Sequence, residues 1–262
     1  MRYWLFLVAI FFFCQNIHAQ IGGISGGKIN AFNHLPIPKG TAEFEPNYGF
    51  YSVSKFWDND GQLQAKYGSK DSLEINSQIS FRMAYTFSDK FELGTFIAES
   101  FTNWSFKYVT LDKEKFGLAV IGGLNFPFGS AVIDKSQRKP EHHSQYILGL
   151  ASSHQFSEST SLDINLQYQD YFGSHPEIPK SDIFIYADVG HYLGDSGIQL
   201  LSSLGYQISQ LEDTSSTKMT FYPGVAFEMQ SNYFIVANAF FDLIGQNAEK
   251  TSGISIAWTI TL

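Results

Sequence analysis

The sequence predicts an all-β fold, namely a closed antiparallel transmembrane β-barrel of twelve strands. Three observations predict this fold class. They are one long stretch in which apolar and polar residues alternate, a composition rich in aromatic and poor in charged residues, and a regular succession of short and long connections. Each strand of such a barrel turns one face to lipid and the other to the lumen.

The longest alternating stretch covers residues 73–87, LEINSQISFRMAYTF. Apolar and polar side chains alternate through most of it, which places them on opposite faces of a β-strand. A transmembrane strand needs about 9–11 residues, and aromatic side chains mark both of its membrane interfaces. We therefore interpret the apolar face as facing lipid and the polar face as lining a lumen.

The composition agrees with this interpretation. Aromatic residues make up 16% of the chain and charged residues also 16%, whereas charged residues are usually about 25% of a soluble domain. The net charge of −8 and the lack of a basic stripe argue against a nucleic-acid partner. Outer-membrane lipid and a small-molecule solute are the predicted partners, and the sequence does not indicate an oligomeric state.

The first 19 residues are predicted to be a secretory signal peptide, with Arg2 at the start, an apolar core over residues 4–13, and Ala19 before Gln20. A signal anchor is the alternative, but this apolar run is far shorter than the roughly 20 residues of a membrane-spanning helix. The only cysteine, Cys14, lies within the signal peptide. Export combined with a barrel predicts the outer membrane of a Gram-negative bacterium.

Residues 20–40 are rich in glycine and proline and show no periodicity. They are predicted to form a flexible lead that either hangs in the periplasm or enters the barrel as a plug. The barrel itself is predicted to cover residues 41–262.

Eleven further segments alternate in the same way as residues 73–87. The predicted strands begin at residue 41 and continue with residues 73–87, 91–98, 104–111, 116–128, 145–156, 162–172, 182–193, 198–211, 219–229, 233–243 and 253–262. The split at residues 99–103 is the least obvious, since one long strand over residues 91–111 is the alternative.

The connections support the count of twelve. Every connection from an even to an odd strand is a tight turn, with the sequences SDK, DKEK, SEST, GDSG and QSN. The long connections, including residues 55–70, 129–143, 173–180, 212–217 and 245–250, all lead from an odd to an even strand. Because bacterial barrels keep their periplasmic turns short, both chain termini are predicted to be periplasmic.

The polar face of these strands supplies the candidate site residues. The charged lumen candidates are Glu43, Glu45, Glu74, Arg82, Glu92, Lys107, Asp163, Asp188, Glu228 and Asp242. One interpretation is an acidic interior that favours cations and neutral polar solutes. The other is that these groups pair with amides, water and the two basic residues and fill the lumen, since twelve strands enclose less room than the 16–18 of open porins.

Several aromatic residues also fall on the lumen face. The apolar lumen candidates are Tyr171, Phe184, Tyr186, Tyr192 and Tyr222. They either form an apolar slide for an aromatic or lipid-like solute or pack together and close the lumen.

The sequence predicts no catalytic residue, no metal site and no cofactor. Glu141, His142 and His143 form the one cluster of potential metal ligands, but a structural site usually needs four protein ligands, so a solvated loop is the better interpretation. A phospholipase barrel carries a His-x-Ser-Asn-Gly pattern, and residues 142–145, HHSQ, lack its asparagine and glycine. The protein is therefore predicted not to be an enzyme.

Residues 81–99, FRMAYTFSDKFELGTFIAE, resemble the outer-membrane barrel family named for the meta-pathway of phenol degradation. The likeness extends to the motif PKG at residues 38–40 and NFPFG at residues 125–129. The resemblance implies a barrel distantly akin to the long-chain fatty-acid transporters, with a role in passing hydrophobic or aromatic compounds. It implies no particular binding residue.

The predicted function is a passive channel or transporter for a small solute, which is hydrophobic or aromatic if the resemblance holds. The alternative is a non-conducting structural or interaction barrel whose external loops bind a partner.

Overall fold

The computed structural model describes residues 21–66, 73–129, 131, 143–173, 180–210, 214–230 and 232–262. No helix in these residues is long and apolar enough to cross a membrane. Thirteen strands lie in the described part of the chain. They are β1 (Ala42–Trp57), β2 (Leu63–Ala65), β3 (Glu74–Ser88), β4 (Phe91–Ile97), β5 (Phe101–Lys113), β6 (Phe116–Pro127), β7 (Gln145–Gln155), β8 (Thr160–Tyr171), β9 (Ser181–Tyr192), β10 (Ile198–Gln210), β11 (Ser215–Gln230), β12 (Tyr233–Gln246) and β13 (Ala248–Thr261).

Twelve of these strands close into one antiparallel barrel. From β3 to β13 each strand pairs with the next in sequence, and β1 pairs with β3 on one side and with β13 on the other. The short β2 folds back on the end of β1 and lies outside the ring. The closed sheet leaves no unpaired edge in lipid, and it confirms the predicted all-β barrel of twelve strands.

The two ends of the barrel differ. At the end where β1 begins and β13 ends, only two to four residues separate consecutive strands in most connections. We call this the short-turn end and the opposite one the long-loop end. The predicted loops at residues 129–143 and 173–180 fall mostly outside the described residues, as do Glu141 and His142 of the predicted cluster with His143.

The outer face of the barrel is apolar, as alternation predicts. On β3, the exposed fraction is 42% for Phe81 and 52% for Met83, whereas that of Arg82 between them is 7%. The same alternation recurs around the ring, where leucine, isoleucine and aromatic side chains point outward on almost every strand. This continuous belt is the surface that contacts lipid.

The predicted split of residues 91–111 is confirmed, because β4 and β5 are separated by residues 98–100. The amide of Ala98 donates to the carbonyl of Phe101 at 2.9 Å and closes this turn. β1 and β11 each extend into a predicted loop, to Trp57 and from Ser215.

The predicted loop at residues 245–250 is wrong. β12 runs to Gln246 and β13 starts at Ala248, so Asn247 alone makes the turn, with φ of 49°. This polar sequence is a strand because the extended end of β1 gives it a partner, and Lys250 lies over the ring of Trp57 at 5.5 Å. Asparagine tolerates the left-handed conformation better than most residues.

The lipid-facing register can be tested at Leu166, which lies on the outer face of β8 between Leu150 and Ile185 of the adjacent strands. We expect Leu166→Arg to lower the free energy of unfolding by about 2–4 kcal/mol, the cost of an arginine at the bilayer midplane. Urea-induced unfolding of the protein in lipid vesicles measures this change.

The matched control is Phe116→Arg, at the first residue of β6 near a membrane interface, which should cost only about 0–1 kcal/mol. Equal effects of the two substitutions would contradict the assigned register.

Candidate functional site in the barrel lumen

The lumen is partly filled by residues 21–37, which we call the inserted segment. It enters from the short-turn end, where the amide of Gly40 donates to the carbonyl of Thr86 at 2.8 Å. Ile21 and Ile24 are fully buried inside the barrel. A β-bridge between Gly27 and Phe32 folds the middle of the segment into a tight loop. Residues 21–37 therefore lie inside the barrel in this structure.

Asp188 binds the tip of this loop. Its Oδ2 atom accepts the backbone N–H groups of Ile29, Asn30 and Ala31 at 2.8, 2.8 and 2.9 Å. Three successive amides that converge on one oxygen stabilise a carboxylate without a basic residue. The carboxylate of Asp188, which was predicted to face a solute, therefore anchors the inserted segment.

Asn165 on β8 makes a second anchor beside the tip. Its side-chain carbonyl accepts the N–H of Phe32 at 2.7 Å, and its amide donates to the carbonyl of Phe32 at 2.9 Å. The asparagine thus pairs with the segment as a neighbouring strand would.

Glu92 and Lys107 hold both legs of the loop. Glu92 accepts the N–H of Ser25 at 2.5 Å and that of Ile37 at 3.2 Å, and it also accepts the Ser25 hydroxyl. Lys107, which is fully buried, donates to the carbonyls of Ser25 and Leu35 at 2.8 and 2.7 Å. The Lys107 Nζ atom and the Glu92 carboxylate lie 4.0 Å apart. This buried ion pair therefore holds Ser25 and Leu35, which are ten residues apart, in place.

Arg82 forms a second buried ionic cluster. Its Nη1 and Nη2 atoms donate to Glu43 and Glu45, each at 2.7 Å, and Nη1 also donates to the carbonyl of Ile24 at 3.1 Å. Glu45 accepts a further hydrogen bond from the hydroxyl of Thr259 at 2.5 Å. The guanidinium, carried by β3, therefore joins two carboxylates of β1 to the inserted segment.

The inserted segment brings a cationic side chain, Lys28, into the lumen, and the alternation of the strands gives no sign of it. Lys28 forms an ion pair with Asp163, and only 1% of the surface of Asp163 is exposed. Residues 20–40 were assigned to no strand, so Lys28 was not placed in the lumen. Its position lowers the net negative charge of the interior.

The three remaining charged candidates lie at the two ends. Glu74 pairs with Lys66 at 2.6 Å near the long-loop end. Asp242 accepts the hydroxyls of Thr220 and Thr251, both at 2.5 Å. Glu228 is exposed and lines the short-turn end.

The aromatic candidates fall into separate groups. Phe184 and Tyr186 stack with centroids 6.3 Å apart and pack against Ala31 of the segment. Tyr222 lies 6.0 Å from Phe240, a lumen residue that the prediction missed. Tyr171 donates its hydroxyl to Asp182 at 2.6 Å, and Tyr192 lines the short-turn end instead of the central lumen.

An apolar patch of the lumen wall was also missed. Ile121, Ile147 and two alanines of β6 and β7 pack against Ile21, Ile24 and Phe32 of the segment. The signal was present in the sequence, because the inner face of these two strands carries small and apolar side chains where other strands carry polar ones.

Two glycines of the wall let the segment approach closely. A Cβ on Gly94 would overlap the carbonyl of Gly23, and a Cβ on Gly117 would overlap the imidazole of His34. The backbone of His34 also donates to the Ser153 hydroxyl at 3.0 Å. The wall is therefore shaped to the path of the segment.

The described residues line two sizeable cavities beside the inserted segment. The first, which we call the chamber, has a volume of about 370 Å³ and lies between the segment and strands β9–β13, β1 and β3. The second, which we call the vestibule, has a volume of about 380 Å³ and lies at the short-turn end. Gly27, Lys28 and Arg82 line both cavities, so these residues mark the boundary between them.

No protein-family model and no curated protein matches the sequence. Solved structures match in fold. The COG4313 outer membrane channel from Pseudomonas putida F1 is 13% identical with a TM-score of 0.68, covering 87% of this chain and 98% of that one. The KdgM porin in complex with disordered oligogalacturonate is 9% identical with a TM-score of 0.50, covering 82% of this chain and 98% of that one.

At these identities the likeness is one of fold. The fold is that of Gram-negative outer-membrane barrels, and the apolar belt around the ring places this protein in that membrane. The resemblance to the family named for the meta-pathway of phenol degradation stays a prediction.

The anchoring role of Asp188 can be tested by hydrogen exchange. Asp188→Ala removes the acceptor of three amides in the inserted segment, and an unpaired buried N–H costs about 1–3 kcal/mol. We expect these amides to exchange at least about tenfold faster, since about 1.4 kcal/mol corresponds to that factor. Mass spectrometry of peptides that cover residues 26–34 measures the rate.

The control is Asp195→Ala, which changes an exposed turn residue between β9 and β10 and should leave this rate unchanged. Unaltered exchange in the Asp188 variant would show that the tip is held by other contacts.

Proposed function

We propose that the protein is a passive channel for a small hydrophobic or aromatic solute across the outer membrane. The observation that carries the proposal is the uneven filling of the lumen. The polar contacts of the inserted segment go to strands β3–β10, whereas much of the chamber wall comes from β11–β13 and β1, with β3, β9 and β10 at its sides. A cavity of molecular size therefore remains beside a fixed obstruction, and we propose that it forms part of the solute path.

The lining of the chamber supports a solute with apolar surface. Tyr51, Phe184, Tyr186, Tyr222 and Phe240 all contribute to its walls. Its volume of about 370 Å³ lies in the range of about 300–1,000 Å³ typical of small-molecule sites. Amide and hydroxyl side chains between the aromatic rings supply polar contacts.

The proposal includes an orientation. Both termini lie on the periplasmic side, residues 1–19 are removed as a signal peptide, and the inserted segment enters from the periplasm. The long loops then face the medium, and the chamber is reached from outside before the vestibule. Short periplasmic turns support this orientation.

Planar-bilayer recording tests the channel function. We expect small, steady currents from the purified protein and clearly larger ones after deletion of residues 21–34, because the deletion joins the chamber to the rest of the lumen. Gly94→Val, whose side chain would displace Gly23, is a second variant that retains the full chain. Asp195→Ala is the control and should conduct as the wild type does.

The channel proposal is wrong if the wild-type protein conducts no ions and proteoliposomes that contain it take up no apolar solute. Vesicles without protein give the background for the uptake measurement.

A non-conducting interaction barrel is the second candidate. It is favoured by the fact that most buried lumen charges are already engaged by the inserted segment or by one another. A closed wild-type barrel that conducts only after the deletion would support this candidate, with the external loops as its binding surface.

We propose no enzymatic activity. Phospholipid hydrolysis by the purified protein that disappears in Ser144→Ala would contradict this part of the proposal.

A further inference from the structure

We propose that the chamber binds small aromatic carboxylates, with the ring against an aromatic row of the wall and the carboxylate on the ammonium group of Lys218. The inference rests on the proposed channel function, which it narrows to a substrate class. It departs from the cation preference that the acidic strand residues suggested.

The first argument is that the carboxylates of the chamber already use most of their acceptor capacity, which is about four hydrogen bonds for each group. Asp242 accepts the hydroxyls of Thr220 and Thr251 at 2.5 Å and the amide of Thr251 at 2.7 Å. Glu45 accepts two hydrogen bonds from Arg82 and one from Thr259. Little acceptor capacity therefore remains on either group for a cationic solute.

The second argument is that the ammonium groups have donors to spare. An ammonium has three N–H donors. In the part of the chain that the structure describes, Lys218 has one ionic partner, Asp242, at 3.4 Å, and Lys28 has one, Asp163. Asp242 accepts three hydrogen bonds from neutral donors and therefore does not depend on Lys218 alone. The Lys218 ammonium can then direct N–H groups to an incoming anion.

The third argument is the charge of the two cavities. The chamber is lined by three cationic side chains, Lys28, Arg82 and Lys218, against two carboxylates, Glu45 and Asp242. The vestibule adds Glu43, Asp163 and Glu228 to Lys28 and Arg82, so its carboxylates outnumber its cations. An anion is therefore favoured in the chamber and not in the vestibule.

The fourth argument is the aromatic row. Phe184 stacks on Tyr186, and Tyr222 lies beside Phe240, on the lumen faces of β9, β11 and β12. A Cβ on Gly205 of β10 would touch the rings of both Tyr186 and Tyr222, so these rings meet across that glycine. Phe184 and Tyr186 are almost covered, with 1% and 8% of their surface exposed. A planar ring in the chamber would therefore stack on Tyr222 and Phe240, the part of the row that remains accessible.

The row ends beside the ammonium. Asp242 follows Phe240 by two residues on the same face of β12, which is about 7 Å along a strand. The Lys218 Nζ atom lies 3.4 Å from Asp242. An aromatic ring on the row would therefore present an attached carboxylate to Lys218, and charge-assisted hydrogen bonds of this kind are among the stronger ones in proteins.

Calorimetric titration of the purified full-length protein in detergent tests the inference. Benzoate, benzyl alcohol and benzylamine share a ring and differ in charge. We expect benzoate to bind about tenfold more tightly than benzyl alcohol, which corresponds to about 1.4 kcal/mol. Benzylamine should bind least tightly of the three.

Lys218→Met should remove the preference for benzoate and leave the affinity for benzyl alcohol unchanged, because the aromatic row is intact. Lys28→Met is a second variant and should reduce the preference to a smaller extent, since this ammonium lies at the lower boundary of the chamber. The matched control is Lys113→Met, which changes an exposed lysine at the end of β5. Heat-dependent gel mobility verifies that each variant is folded.

The outcomes separate the inference from the function on which it rests. Equal affinities for benzoate and benzyl alcohol, or a preference that survives Lys218→Met, would overturn the inference while the channel function stands. A wild-type protein that binds none of the three compounds and conducts no ions would overturn both.

Discussion

The pairing of β1 with β13 is the constraint on which the rest of the structure depends. It closes the ring, so neither β1 nor β13 is left as an open sheet edge in lipid. Closure also fixes the alternation of side chains, because a slip of one residue would turn Arg82 and its neighbours toward lipid. Only within this closed wall can so many charged side chains be buried.

Those buried charges explain why the inserted segment is held so firmly. Asp188 and Glu92 accept backbone N–H groups of the segment, and Lys107 donates to its carbonyls. An isolated ion in this environment would be costly, whereas one with several hydrogen bonds is stable. The wall and the segment therefore satisfy each other, and the chamber is the space that remains beside them.

The barrel could be predicted from the sequence because alternation is a local property. The neighbours Phe81 and Arg82 already show which face is which, and tight turns fix the count of strands. The position of Lys28 could not be predicted, since a segment rich in glycine has no periodicity and its partner Asp163 is 135 residues away. The strand beyond Asn247 was missed for a similar reason, because a polar sequence becomes a strand only when the extended end of β1 lies beside it.

The direction in which the segment is anchored has a consequence for biogenesis. The segment precedes β1, yet its partners lie on strands that follow later in the chain, as far as Asp188 on β9 and Ser203 on β10. It therefore cannot reach its final position during the first stages of membrane insertion. Its full set of anchors exists only once strands as late as β10 are in place, so complete ordering of the segment is a late event in assembly of the barrel.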